Sequence, residues 1–189
     1  EGIISTAGIL HYLSETQHHQ LNHITTIKRI PFEGHVWLDR FTIRNLEIFF
    51  PNTLDGKCLI DVIDHTVSPM GGRLLKRWLA LPSTDSELIF KRHNIVEYFI
   101  NKDKHRSFLI ETLSSLSDLE RLISKVATKK INPRELFNLN ESLKNIKPLK
   151  NEFKKTTSDD LNSLFKSLSN CDEIINLIGS TLSESPPVN

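Results

Sequence analysis

The chain has 189 residues, enough for one good-sized domain or a domain with an appendage. Its 24 Lys and Arg against 23 Asp and Glu leave a net charge of +1, which gives no electrostatic argument for a nucleic-acid footprint. No apolar run reaches membrane-spanning length and no signal peptide is present, and two cysteines without ligand-like spacing, Cys58 and Cys171, read as reduced thiols of a cytoplasmic protein.

Residues 3–16 place Ile3, Ile4, Ala7, Leu10 and Leu13 on one helical face. Residues 17–24 are polar. Their His18, His19 and His23, with His11 upstream, form the one cluster that invites a metal. They lack the matched cysteine or carboxylate ligands of a zinc site, so a solvated linker is the reading. Ile27, Ile30 and Pro31 suggest short extended pieces on either side of the proline, within Thr25 to Val36. Asp39 then offers an N-cap, with Leu38 and Ile43 placed as a hydrophobic staple. A turn region runs from Pro51 through Asp55 and Gly56, and Leu59, Val62 and Ile63 mark another helix.

Ser68 is the next cap, with Pro69 at the first helical position, where its missing N–H costs nothing. Met70, Leu74 and Trp78, flanked by Leu75 and Leu79, make a wide apolar stripe that predicts Trp78 as a buried anchor. Gly71 and Gly72 in the first turn predict a close approach to that backbone. Pro82 ends the element.

Longer helices follow. Thr84 with Glu87, Ser117 with Glu120, and Asn132-Pro133 with Glu135 are three capping-box signals. The apolar faces behind them carry Leu88, Ile89, Ile95, Val96, Phe99 and Ile100; then, past a charged break at Lys102-Asp103-Lys104, Phe108, Leu109, Leu113 and Leu116; then Leu119, Leu122, Ile123 and Val126; then Leu136, Leu139, Leu143 and Ile146. Pro148 interrupts. A Ser/Thr/Asp-rich loop near Thr156–Asp160 precedes two more amphipathic segments, with Leu161, Leu164, Phe165 and Leu168, then Ile174, Ile175, Leu177 and Ile178. The fold class is mainly α, a multi-helix array with short extended segments near the N-terminus.

The chemistry is sparse. The spacing of a nucleotide-binding phosphate loop does not occur, and no Ser-His-Asp or Cys-His arrangement can be argued from spacing. Arg44, Arg73, Lys76, Arg77 and Arg92 are interspersed with Asp39, Glu47, Asp61 and Asp64, which predicts a set of internal ion pairs rather than a DNA stripe.

The run Leu38, Asp39, Thr42, Arg44, Asn45, Leu46, Glu47, Ile48 carries a resemblance. So do Asp64, His65, Thr66, Met70, Gly71, Arg73 through Leu79 with Trp78, and Ile89, Arg92, Val96 and Phe99. Together they resemble the core domain of the MutS family of DNA mismatch-repair ATPases. Ala7 to Gln17 resembles the end of the connector domain that precedes that core, and Thr181 to Val188 the point where the chain leaves for the DNA clamp. Ser68 departs from the family's common threonine; both cap helices.

The resemblance implies residues 1–24 as connector end and linker, and 25–189 as the first segment of the core. The implied role is mechanical: helices linking mismatch binding to an ATPase, both outside this segment, with no catalytic, cofactor or metal residue within it. For the parent protein it implies ATP with Mg, mismatched duplex DNA held through other domains, a homodimer and no membrane. A MutS relative that does not repair mismatches, a stand-alone nucleic-acid-binding module and a small enzyme are the rival readings. The opening on Glu1 in helical periodicity and the close after Pro186-Pro187-Val188 suggest a piece of a longer polypeptide.

Overall fold

The computed structural model describes residues 1–16, 24–27, 34–154, 156–183 and 186. The calls on His18, His19, His23, Ile30, Pro31, Pro187 and Val188 lie outside the described residues. What is described is mainly α-helical, and its β content is one isolated antiparallel bridge, His35 with Ser83. Among the described residues of 25–36, that bridge is what stands of the expected extended pieces. Val36 N donates to Pro82 O at 2.8 Å and Thr84 N to Gly34 O at 3.0 Å.

Helices α1 (Gly2–Glu15), α2 (Arg40–Asn45), α3 (Leu59–Ile63) and α4 (Pro69–Ala80) form the first part. Local chemistry starts three of them. Asp39 accepts from Thr42 N at 2.7 Å, and Ser68 accepts from Gly71 N at 3.2 Å with Pro69 at the first position. At α3, Cys58 N and Sγ both donate to Asp61 Oδ2. Only α3 in this group contributes a buried side chain, Ile60, which lies near the buried Ile48 and Cys58 in sequence.

Helices α5 (Ser86–Asn101), α6 (Asp103–Ser115), α9 (Ile146–Phe153) and α10 (Asp159–Lys166) enclose the main core. Tyr98, Leu149, Phe153, Leu161 and Phe165 are its buried members, with Ile95, Phe99, Phe108 and Leu109 packed against them. Phe153 stacks on Phe165 at 4.4 Å between ring centroids. Phe99 and His105 meet Phe153 edge-on, at 5.8 and 5.4 Å. His105 Nδ1 is hydrogen-bonded to Tyr98 Oη, and its Nε2 lies 3.5 Å from Glu152. Helices α7 (Leu119–Ala127), α8 (Pro133–Lys144) and α11 (Asp172–Thr181) pack together and bury Leu122, Leu139, Asn140, Ser142 and Ile178.

Two expected caps are displaced by one residue. Asp85, not Thr84, caps α5 by accepting from Leu88 N, and Asp118, not Ser117, caps α7 by accepting from Arg121 N. In both, an aspartate stands immediately after the hydroxyl residue, and its carboxylate also meets the positive end of the helix. The third box holds as expected: Asn132 Oδ1 accepts from Glu135 N at 2.8 Å and Glu135 Oε2 from Asn132 N at 3.3 Å. Pro148 does not itself break a helix. The break falls at Asn145, which places the proline in the first turn of α9, where an N–H has no partner to lose. Asp159 and Asp160 are likewise the first turn of α10, capped by Ser158, not part of a loop.

Apolar faces remain uncovered. The accessible surface is 14540 Å², whereas a compact monomer of this mass would show about 9,200 Å². Val96, Ile100, Ile123 and Val126 contribute on the later helices. The greatest exposures fall earlier in the chain, at Ile3, Ile4, Phe41, Phe50 and Leu54.

Five carboxylates are held below their ordinary range. Hydrogen bonds from the Thr42 backbone to Asp39, from the Cys58 thiol to Asp61 and from the Thr66 hydroxyl to Asp64 are the leading causes there. Bonds from Arg73 to Asp118 and from Lys125 to Glu135 do the same. A carboxylate with a depressed folded value stabilises the fold above its unfolded value and loses that contribution as pH falls through the folded one. The urea midpoint should therefore be level from neutrality to about pH 5 and decline below about pH 4. A midpoint level down to pH 3 would contradict these hydrogen bonds.

Candidate functional site

The residues singled out from sequence fall into two neighbouring groups. Asp39, Thr42, Arg44 and Asn45 belong to α2 and its cap, and Glu47 forms the corner that follows. Glu47 has φ 49°, a left-handed conformation that costs energy for a residue with a Cβ. Its Oε1 accepts from Asn52 N and its carbonyl from Leu59 N, both at 2.8 Å, while Ile48 O accepts from Ile60 N at 3.0 Å. The corner therefore ties α2 to α3.

Thr66, Met70, Gly71, Arg73 and Trp78 form the second group, on α4 and the loop before it. Thr66 donates its hydroxyl and its N–H to Asp64 Oδ1, at 2.6 and 3.0 Å. That fixes its side chain over the glycine pair. A Cβ on Gly71 would stand 3.1 Å from Ser68 Oγ and 3.4 Å from Thr66 Cβ; one on Gly72 would stand 3.3 Å from Thr66 Oγ1. The close approach expected at these glycines is thus made by the chain's own preceding loop. Met70 is half-buried.

Arg73 reaches furthest. Its Nη1 and Nη2 donate to the two carboxylate oxygens of Asp118 at 2.9 and 2.6 Å, and its Nε donates to Glu120 Oε2 at 2.7 Å. A planar guanidinium meeting a carboxylate in this two-pronged way fixes orientation as well as distance. The two acids hold the Arg73 guanidinium far above its ordinary range. Because Asp118 is the cap of α7, one side chain joins the second turn of α4 to the start of a helix 45 residues on.

Two expectations are corrected. The ion pairs foreseen for Asp39, Asp61 and Asp64 are replaced by helix-capping and turn hydrogen bonds, and Arg73 takes its acids from α7. Trp78 is 40% exposed, with Leu74 similarly placed, and Trp37 is more exposed still. The indole is not a core anchor: the Arg92 guanidinium of α5 lies 3.7 Å from its ring centroid. Trp78→Ala should therefore cost about 1–2 kcal/mol, from partial burial and a cation–π contact, in place of the larger loss of a core residue. A denaturant melt showing a loss above about 3 kcal/mol would return Trp78 to the core.

The sequence reading passed over a cluster of lysines. Lys147, Lys150 and Lys154 of α9 and its C-cap line a groove of about 280 Å³ with Lys166 of α10. The spacing of three and four residues along α9 was the available signal.

The family model for MutS domain III matches residues 41–189 of this chain. The DNA mismatch repair protein MutS of Christiangramia forsetii is 48% identical over 188 residues, 100% of this chain and 22% of that protein. Its counterpart of the same name in Flavobacterium psychrophilum is 46% identical over 99% of this chain and 22% of its own length. The chain belongs to the MutS family. It is a core segment of a MutS-type protein, and it spans about a fifth of the length of the curated relatives it matches. Among the described residues, no helix is long and apolar enough to cross a membrane.

Proposed function

We propose that this MutS core segment transmits a conformational change between a mismatch-binding part and an ATP-hydrolysing part of a longer protein. The observation that carries the reading is the Arg73 fork. It links the α2–α4 unit, where the densest family signature lies, to the long-helix array through a side-chain bridge of defined geometry. Small polar bridges between otherwise separately packed units can be made in one state and broken in another.

ATP with Mg, mismatched duplex DNA and a homodimeric, cytoplasmic setting are assigned to the parent protein. Residues 1–24 are assigned to the connector end. The exposure of Ile3, Ile4, Ala7 and Ile9 supports a helix α1 that belongs to another domain, and the family-model match begins after it. The uncovered faces of α5 and α7 support a core completed by chain from elsewhere in the protein.

The test uses the full-length protein carrying Arg73→Ala. Mismatch-stimulated ATP hydrolysis should fall about tenfold, the scale of a typical coupling energy, while basal hydrolysis and mismatch affinity stay within about twofold. Unchanged stimulation would remove Arg73 from the transmission path.

A further inference from the structure

We propose that the groove between α9 and α10 binds the phosphodiester backbone of duplex DNA, so that this segment makes its own sequence-independent contact. Among the described residues, the groove wall carries Lys147, Lys150, Lys154 and Lys166 and no carboxylate. None of the four is in an ion pair there, whereas Lys144, one turn earlier, is neutralised by Glu141 at 2.6 Å. Lys150 Nζ donates to Leu168 O at 2.6 Å, which fixes its ammonium at the groove and leaves two N–H groups for a ligand.

From Lys147 to Lys154 the helix advances about 10 Å, the axial span of about three phosphates on one strand. The opposite end of α10 is acidic, with Asp159 and Asp160 in its first turn and Asp160 bonded to Asn94. The +1 net charge therefore averages a basic groove with an acidic end, and conceals both.

The chemistry favours phosphodiester over an acidic protein partner. The cations are lysines, point charges suited to phosphate, and not the arginine forks that match carboxylates in pairs. The groove floor is formed by Phe153 and Phe165, which are 0% and 8% exposed and offer no apolar pocket for a peptide anchor. The choice of DNA as the phosphodiester rests on the reading of the chain as part of a mismatch-repair protein.

The test is salt-dependent binding of a matched DNA duplex to the full-length protein. The variant is Lys147→Gln with Lys154→Gln and Lys166→Gln, which spares the Lys150 bond and changes only exposed side chains. Between about 50 and 200 mM salt, the slope of log affinity against log salt should lessen by about 2.7, with affinity at the lower salt reduced at least about tenfold. A control variant, Lys91→Gln with Lys104→Gln and Lys130→Gln, should keep the parent slope. An unchanged slope in the groove variant, or an equal change in the control, would overturn the proposal. So would polyglutamate displacing the duplex as well as an equal charge of competing DNA does. Mismatch-stimulated ATP hydrolysis, read alongside, separates the two proposals: a lost transmission role shows in Arg73→Ala, and a lost DNA contact shows only in the salt slope.

Discussion

Phe153→Ala should destabilise the fold by about 3–5 kcal/mol, the largest effect expected of any truncation in the main core. The side chain is 0% exposed, stacked on Phe165 and met by Phe99, His105 and Phe108 from two further helices. Removing the ring leaves a cavity bounded by α5, α6, α9 and α10, and interlocked aromatic rings cannot collapse into it without leaving their rotamers. Urea unfolding followed by circular dichroism checks the figure. A loss below about 1.5 kcal/mol would mean that the four helices do not close on this residue.

Asn140→Asp should cost about 3 kcal/mol at neutral pH, because it places a charge where nothing pairs with it. Asn140 is 2% exposed on α8, and its Oδ1 has no hydrogen-bond partner. Its Nδ2 lies against Gly179 of α11. Burial would raise the introduced carboxyl's pKa above its unfolded value. Stability is then retained below the unfolded pKa and lost as pH rises through the folded one. The variant should therefore approach the parent near pH 4 and diverge towards pH 7 in thermal melts. Asn140→Leu removes the unpaired acceptor and should cost less. A pH-independent difference from the parent would show that the site is hydrated.

What was legible in the sequence was what is decided within a few residues. Asp39, Ser68 with Pro69, and Asn132 with Pro133 and Glu135 announce helix starts because capping couples side chain and backbone three positions apart. At Thr84 and Ser117 the same reasoning missed by one residue, since two cap-competent residues stand side by side and spacing alone does not choose between them. Trp78 was misread because helical periodicity identifies an apolar face without saying what covers it; here Arg92 covers part of the ring and solvent the rest. The acids of Arg73 were beyond reach for a related reason. Nothing local distinguishes Asp118 from the nearer Asp64, which Thr66 already occupies. The lysine groove was hidden by averaging: net charge sums over the chain, whereas the groove is set by which face of α9 meets α10.

The signature residues divide along the same line. Gly71 and Gly72 were expected to admit a close neighbour, and the neighbour proves to be Thr66 of the same stretch. The signature is therefore largely a self-contained turn–helix unit, with Arg73 as its outward connection to α7.

The central claim is that this connection moves. The most direct measurement is the distance between spin labels at Lys76→Cys on α4 and Glu111→Cys on α6 in the full-length protein. Both sites are exposed, Cys171 and any exposed cysteine elsewhere in the protein would be replaced by serine, and Cys58 is buried out of reach. Transmission through the core predicts two distance populations whose balance shifts when a mismatched duplex and then nucleotide are added, and which no longer shifts with Arg73→Ala. A single distance, the same in every ligand state, would contradict it.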